Sequence, residues 1–122
     1  MSHEGHHSPD DLADRELSRS VAETLQALAT PSRLRILAHL HAGPSPVNEL
    51  AAAVEMEPSA VSHQLRILRS LGLVIGERHG RQVVYELYDE HVARLLTEAM
   101  SHVEHVRLGL AGNHASALSA VV

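Results

Sequence analysis

Asp89-Glu90-His91 and His102-Val103-Glu104-His105 are the segments of this chain whose residue types and spacing could do chemistry. Carboxylate oxygens and imidazole nitrogens are donors for zinc, nickel and cobalt. On an α-helix, which turns about 100° per residue, the eleven-residue step from His91 to His102 returns to within roughly 20° of the same face. The three-residue step to His105 keeps to that face. The same eleven residues cover on the order of 16 Å of helix axis, whereas metal–ligand bonds are about 2 Å long. One ion therefore cannot touch both ends within one chain. If the set binds metal, a second copy of the helix must run antiparallel. Asp89 and His91 of one chain then meet His102 and His105 of the other, which implies a homodimer with two equivalent intersubunit sites.

The elements that must carry these residues can be read from capping residues and apolar spacing. Ser8-Pro9-Asp10-Asp11 has the form of a helix start, with a cap, a proline and acids in the first turn. Leu12, Leu17, Val21, Leu25 and Leu28 follow at amphipathic spacing. Thr30-Pro31 opens a second helix with Leu34, Ile36, Leu37 and Leu40 on its apolar face, ending at Gly43. Ser45-Pro46 opens a short third helix to about Val54, and Pro58-Ser59 a fourth that stops at Gly72. Leu73 to Arg78 and Arg81 to Leu87 predict two strands joined by a His79-Gly80 turn. Asp89 caps a long fifth helix to about Leu110, which Gly109, Gly112 and Asn113 are expected to fray. The expected organisation is a His-rich N-terminal tail (1–8), a mainly α domain with one β-hairpin (9–110) and a flexible C-terminal tail (111–122).

Composition narrows the function classes. The 122 residues include no Phe or Trp and two Tyr, so the core must be aliphatic. There is no cysteine, which excludes disulfides, thiolate metal sites and thiol redox sensing. It also removes the soft ligands that select arsenic, cadmium, lead or copper(I). Eleven histidines are a heavy load for this length. No apolar run approaches the roughly 20 residues of a membrane span, and the polar, His-rich N-terminus is unlike a signal peptide. A cytoplasmic location is expected, with no membrane partner.

The net charge of −5 is unevenly placed. Between residues 31 and 82 stand Arg33, Arg35, Arg66, Arg69, Arg78 and Arg81 against Glu49, Glu55, Glu57 and Glu77; acids dominate elsewhere. A weakly basic face on an acidic body coincides with the order helix, turn, helix, hairpin, which is that of a winged helix-turn-helix. The second helix of such a pair enters the major groove, with its N-terminal residues on base edges. Here it begins Pro58-Ser59-Ala60-Val61-Ser62-His63-Gln64. Small and polar residues at 59, 60, 62 and 63 allow close approach to bases, while Val61, Leu65 and Leu68 form the buried stripe. Arg66 and Arg69 sit where phosphates would pass. Arg78, His79, Arg81 and Gln82 make a wing tip suited to backbone or minor-groove contact.

Residues 28–110 resemble the ArsR/SmtB family of metal-responsive transcriptional regulators. The resemblance rests on Leu28-Ala-Thr-Pro-Ser-Arg-Leu-Arg-Ile-Leu37, Ser59-Ala-Val-Ser-His-Gln-Leu-Arg-Ile-Leu-Arg69, Leu71-Gly-Leu-Val74 and Tyr85-Glu-Leu-Tyr-Asp-Glu-His91. It implies a homodimer formed by the first and fifth helices, and a repressor that leaves a palindromic operator, an inverted repeat of double-stranded DNA, when metal binds. It also implies that Ser59, Ser62 and His63 touch bases, with Val47 a further contact. The ligand at His102 would hydrogen-bond through its second ring nitrogen to backbone near Gly72. The family's cysteine-based site in the third helix is missing, for Val47 to Val54 holds no cysteine. Its fifth-helix site, Asp89, His91, His102 and His105, is complete.

Within the family the nickel/cobalt-sensing branch is the most similar, through Leu25 to Arg33, His91 to Leu96 and Leu108-Gly-Leu110. That branch adds ligands from its tails. Arg107 stands where a histidine is expected, whereas His114 is kept. Nickel(II) and cobalt(II) accept more nitrogen and oxygen ligands than tetrahedral zinc(II), for which the four helix ligands already suffice. His3, with the N-terminal amine, and His114 are the candidate extra ligands; zinc is the alternative effector. A nickel storage or delivery protein is a competing class, and it predicts no sequence-specific DNA binding. An enzyme is not expected, because a helix–helix seam leaves little room for a substrate beside a metal.

Overall fold

The computed structural model describes the backbone of residues 13–121 and the side chains of residues 13–110. The His-rich tail with His3, and the helix start expected at Ser8-Pro9, lie outside the described residues, as does the side chain of His114. Among the described residues, five helices and a three-stranded sheet follow in the order α1 (Arg15–Ala27), α2 (Pro31–Ala42), β1 (Ser45–Pro46), α3 (Val47–Val54), α4 (Pro58–Ser70), β2 (Val74–His79), β3 (Gln82–Leu87) and α5 (Glu90–Val121).

Local chemistry sets most of the boundaries. Asp14 caps α1, its Oδ1 accepting from the N–H of Glu16 at 2.8 Å and of Leu17 at 3.1 Å, which satisfies donors that a helix start leaves unpaired. α2 and α4 open on prolines whose missing N–H would have no partner there. α4 closes with Gly72 at φ 71°. The N–H of Gly72 donates to Arg69 O and that of Leu73 to Leu68 O, both at 3.0 Å. This double bond pattern needs a left-handed residue, hence glycine. α3 ends in the same pattern with Glu55 in the left-handed region at φ 56°.

The core is aliphatic. Ile36, Leu37 and Leu40 of α2, Leu50, Ala51 and Val54 of α3, and Val61, Leu65 and Leu68 of α4 meet Leu73, Val74, Val92 and Leu96. α3 and α4 form the helix-turn-helix, and the β2–β3 hairpin is the wing.

Four expectations change among the described residues. Ser45-Pro46 is a strand before it is a helix start: Ser45 pairs with Tyr85 and Pro46 with Val84, giving the sheet order β1-β3-β2. Proline is tolerated there because β1 is an edge strand. The hairpin turn is Gly80-Arg81, since His79 pairs with Gln82. Gly80 supplies φ 65° at the first turn position, as two-residue hairpins require. Leu34 is 39% exposed rather than buried, because α5 leaves a groove beside α2. α5 continues to Val121 past the expected end near Leu110. Each glycine weakens a helix by about 1 kcal/mol relative to alanine, and the alanine-rich stretch beyond Leu110 offsets Gly109 and Gly112.

Gly76 faces Tyr85 across the wing strands. A Cβ there would lie 2.9 Å from Tyr85 Cε1 and 3.1 Å from Val83 Cγ1. Gly76→Ala is expected to destabilise the fold by about 1–3 kcal/mol through overpacking, read as a lower midpoint in thermal or urea unfolding.

Candidate functional site

Asp89 does two things at the start of α5. Its Oδ1 accepts from the N–H of Val92 at 3.1 Å, capping the helix. Its Oδ2 lies 3.2 Å from His91 Nδ1, which donates when the ring proton is on that nitrogen. The hydrogen bond from His91, and then that from Val92, hold the Asp89 carboxyl below its ordinary value. It therefore stays ionised, as a ligand must be. Two donors bonded at about 2 Å to one ion stand roughly 3 Å apart, so the Oδ2–Nδ1 pair already has ligand spacing. The donor set is nitrogen and oxygen only, which suits zinc, nickel or cobalt.

His102 and His105 are exposed further along α5. At helical spacing His91, His102 and His105 fall within about 60° of arc. Among the described residues, no three His, Cys, Asp or Glu side chains of one chain converge to hold an ion. The structure thus brings Asp89 and His91 together and leaves His102 and His105 apart from them.

On another face of α5 runs an apolar stripe that stays exposed among the described residues. Met100 is 64% and Val103 48% exposed. With Leu34, Ala38, Leu96 and Ala99 they line a groove of about 470 Å³ between α2 and α5. Leu25 on α1 is also exposed, next to a smaller recess against Leu95. Uncovered apolar faces of this kind mark an interaction surface.

α4 and the wing carry polar and basic residues. Ser59, His63, Arg66 and Arg69 are exposed on α4, Ser62 is half-buried, and Val61, Leu65 and Leu68 point into the core. Val47, at the first position of α3, is half-buried and packs against the core, so much of its surface serves packing. Arg78, His79, Arg81 and Gln82 are all exposed on the wing. His79 Nε2 lies 3.8 Å from Glu77 Oε2 on its own strand, so an acid accompanies it.

Two contacts were not foreseen. Arg33 Nε donates to Gln64 Oε1 at 2.7 Å, joining α2 to α4. His41 Nε2 lies 3.1 Å from Thr97 Oγ1, joining α2 to α5. Thr97 Oγ1 donates to Ala93 O, so here it accepts from His41. Both link residues distant in sequence, and no local pattern announces them.

A helix-turn-helix with an exposed polar N-terminal turn on its second helix, followed by a basic-tipped hairpin, has the build of a winged helix-turn-helix regulator. Residues 30–75 match the profile described as bacterial regulatory protein, arsR family. The chain is 60% identical over 114 residues to the HTH-type transcriptional regulator NmtR of Mycobacterium tuberculosis, covering 93% of this chain and 95% of that protein. The chain belongs to the ArsR family of bacterial regulatory proteins, and its place is among transcriptional regulators rather than enzymes. The solution structure of apo-NmtR superposes with a TM-score of 0.67 at 64% identity, over 75% of this chain and 77% of that one. A homodimeric winged helix-turn-helix DNA-binding domain from Mycobacterium bovis gives a TM-score of 0.67 at 35% identity, over 83% and 94%. No helix among the described residues is long and apolar enough to cross a membrane.

Proposed function

We propose that this chain is a metal-responsive transcriptional repressor that binds an inverted-repeat operator as a homodimer and leaves it when metal binds. In this reading residues 9–110 form the DNA-binding domain and residues 1–8 and 111–122 are appended to it. Two metal ions bind between the subunits, each held by Asp89 and His91 of one protomer and His102 and His105 of its partner. The observation that carries this is the split of the ligand set. Two donors stand at ligand spacing at one end of α5, and two more lie on the same face on the order of 16 Å away. Around the same helix from them, Met100 and Val103 form an uncovered apolar stripe. An antiparallel second copy of α5 would complete both sites, and the stripe leaves further apolar surface for the partner's other elements to bury. The homodimeric relative and the regulator names among the relatives support the same reading. Operator-binding titrations run without metal and with zinc, nickel and cobalt test it: metal should weaken specific binding, and unchanged affinity with every metal would contradict it.

Nickel or cobalt is the proposed effector, in five or six coordination, with His3 and the N-terminal amine as added ligands and His114 as a further candidate. Ordering the tail costs roughly 1–2 kcal/mol per residue fixed, and only a metal that gains from extra ligands offsets this. Deletion of residues 2–7 should therefore weaken nickel binding and the nickel response while leaving zinc affinity nearly unchanged. Isothermal titration of both metals against both proteins measures the difference. Equal nickel behaviour in the two proteins would remove the tail from the site, and release of DNA by zinc alone would favour the zinc alternative.

A further inference from the structure

We propose that Arg33 is a positioning residue for the reading helix, and that it sets operator discrimination by holding Gln64. The inference rests on α4 being the base-reading helix, as argued above. The apolar contacts of Val61, Leu65 and Leu68 keep α4 against the core, but such contacts are non-directional. A hydrogen bond is directional. The one between Arg33 Nε and Gln64 Oε1 is short, at 2.7 Å, and part-buried, and it crosses 31 positions of sequence. Gln64 directly follows His63 and lies two positions after Ser62, so fixing its amide fixes the rotation of α4 about its axis. Side-chain atoms lie roughly 6 Å from a helix axis, so a turn of about 15° moves them by about 1.5 Å. Base-reading groups must be held within about 0.5 Å. Loss of this bond would therefore misplace Ser59, Ser62 and His63 without unfolding the domain.

The chemistry of the pair supports a positioning role over direct reading. Arginine only donates, so the acceptor end of the Gln64 amide must face it, whatever else is rotated. Glutamine reads adenine by offering oxygen and nitrogen together. With its oxygen engaged by Arg33, Gln64 is not free to present that pair. Arg33 pairs with no carboxylate among the described residues, and its planar guanidinium holds an amide in one orientation where a lysine ammonium would not.

The test first selects a preferred inverted-repeat duplex from a random library with the wild-type protein. Affinities for that duplex and for a scrambled one are then measured across salt concentrations, with thermal unfolding alongside, for Arg33→Lys, Gln64→Met, the double variant and Gln64→Glu. Gln64→Met keeps size and charge and removes the acceptor. Arg33→Lys and Gln64→Met should each lower the ratio of specific to scrambled affinity at least about tenfold, the scale of one lost base contact, with the salt slope unchanged. The double variant should be no worse than the poorer single. Gln64→Glu, which restores an acceptor, should weaken binding to both duplexes alike and keep the wild-type ratio. A Gln64→Met protein with a lower unfolding midpoint but an unchanged ratio would overturn the inference, as would a Gln64→Glu protein that discriminates as poorly as Gln64→Met. A wild-type protein that prefers no selected duplex would instead overturn the regulator reading beneath it.

Discussion

His102→Ala is expected to abolish the metal response while apo operator affinity stays near wild type. The residue is exposed on α5 and belongs to neither the reading helix nor the wing, so its loss removes a ligand without changing a DNA-facing side chain. The wild-type protein should lose operator affinity on metal binding by a coupling of roughly 1–3 kcal/mol or more, and DNA should weaken metal binding by the same factor. Within the proposal, the imidazole at 102 passes the signal through its second ring nitrogen to backbone near Gly72, where α4 ends and the wing begins. Bonds of this kind fix the orientation of a ligand. Fluorescence anisotropy on labelled operator, with and without metal, reads the loss. A full response in the variant, or a stoichiometry far from one ion per chain in the wild type, would contradict the intersubunit site.

The second large effect concerns DNA, and it separates two kinds of contact. Ser62→Ala and His63→Ala should lose sequence discrimination, by about 1–3 kcal/mol for each base contact removed. Arg78→Ala and Arg81→Ala, on the exposed wing, should weaken binding to every sequence and flatten its salt dependence, because they release fewer counterions from phosphates. The check is affinity for specific and scrambled duplexes over a range of salt. If helix and wing variants behave alike in both respects, the division of roles between α4 and the wing is wrong.

Where the chain was legible, the signal was local. Pro31 and Pro58 mark helix starts by lacking an N–H, Gly72 and Asp89 mark helix ends through bonds within a few residues, and the apolar stripes of α2 to α4 follow helical period. The Asp89–His91 pair was legible for the same reason, since a cap and its neighbour two positions on are one local unit. What escaped depends on distant partners. Ser45-Pro46 becomes a strand only because Tyr85 and Val84 lie beside it. Leu34 has the spacing of a core residue, yet it faces a groove that the same chain leaves open. The turn shifted by one residue because Gly80 serves equally as second or first turn position, and strand pairing chose the first. The Arg33–Gln64 bond is carried by two residues that read alone as a surface cation and a surface amide. The split of the proposed metal ligands was visible from helical rise alone; the pairing of two chains that would reunite them is a property of the dimer.

Mixed dimers test that pairing most directly. One variant carries Asp89→Ala and His91→Ala, the other His102→Ala and His105→Ala, and each alone should bind no metal at the α5 site. After unfolding and refolding together, a mixed dimer keeps one intact site, made of Asp89 and His91 from the second variant and His102 and His105 from the first. The account predicts that mixing restores metal binding with one ion per mixed dimer, measured by metal content of the tag-purified heterodimer. Heterodimers that form and still bind no metal would contradict it, as would full binding by either variant alone.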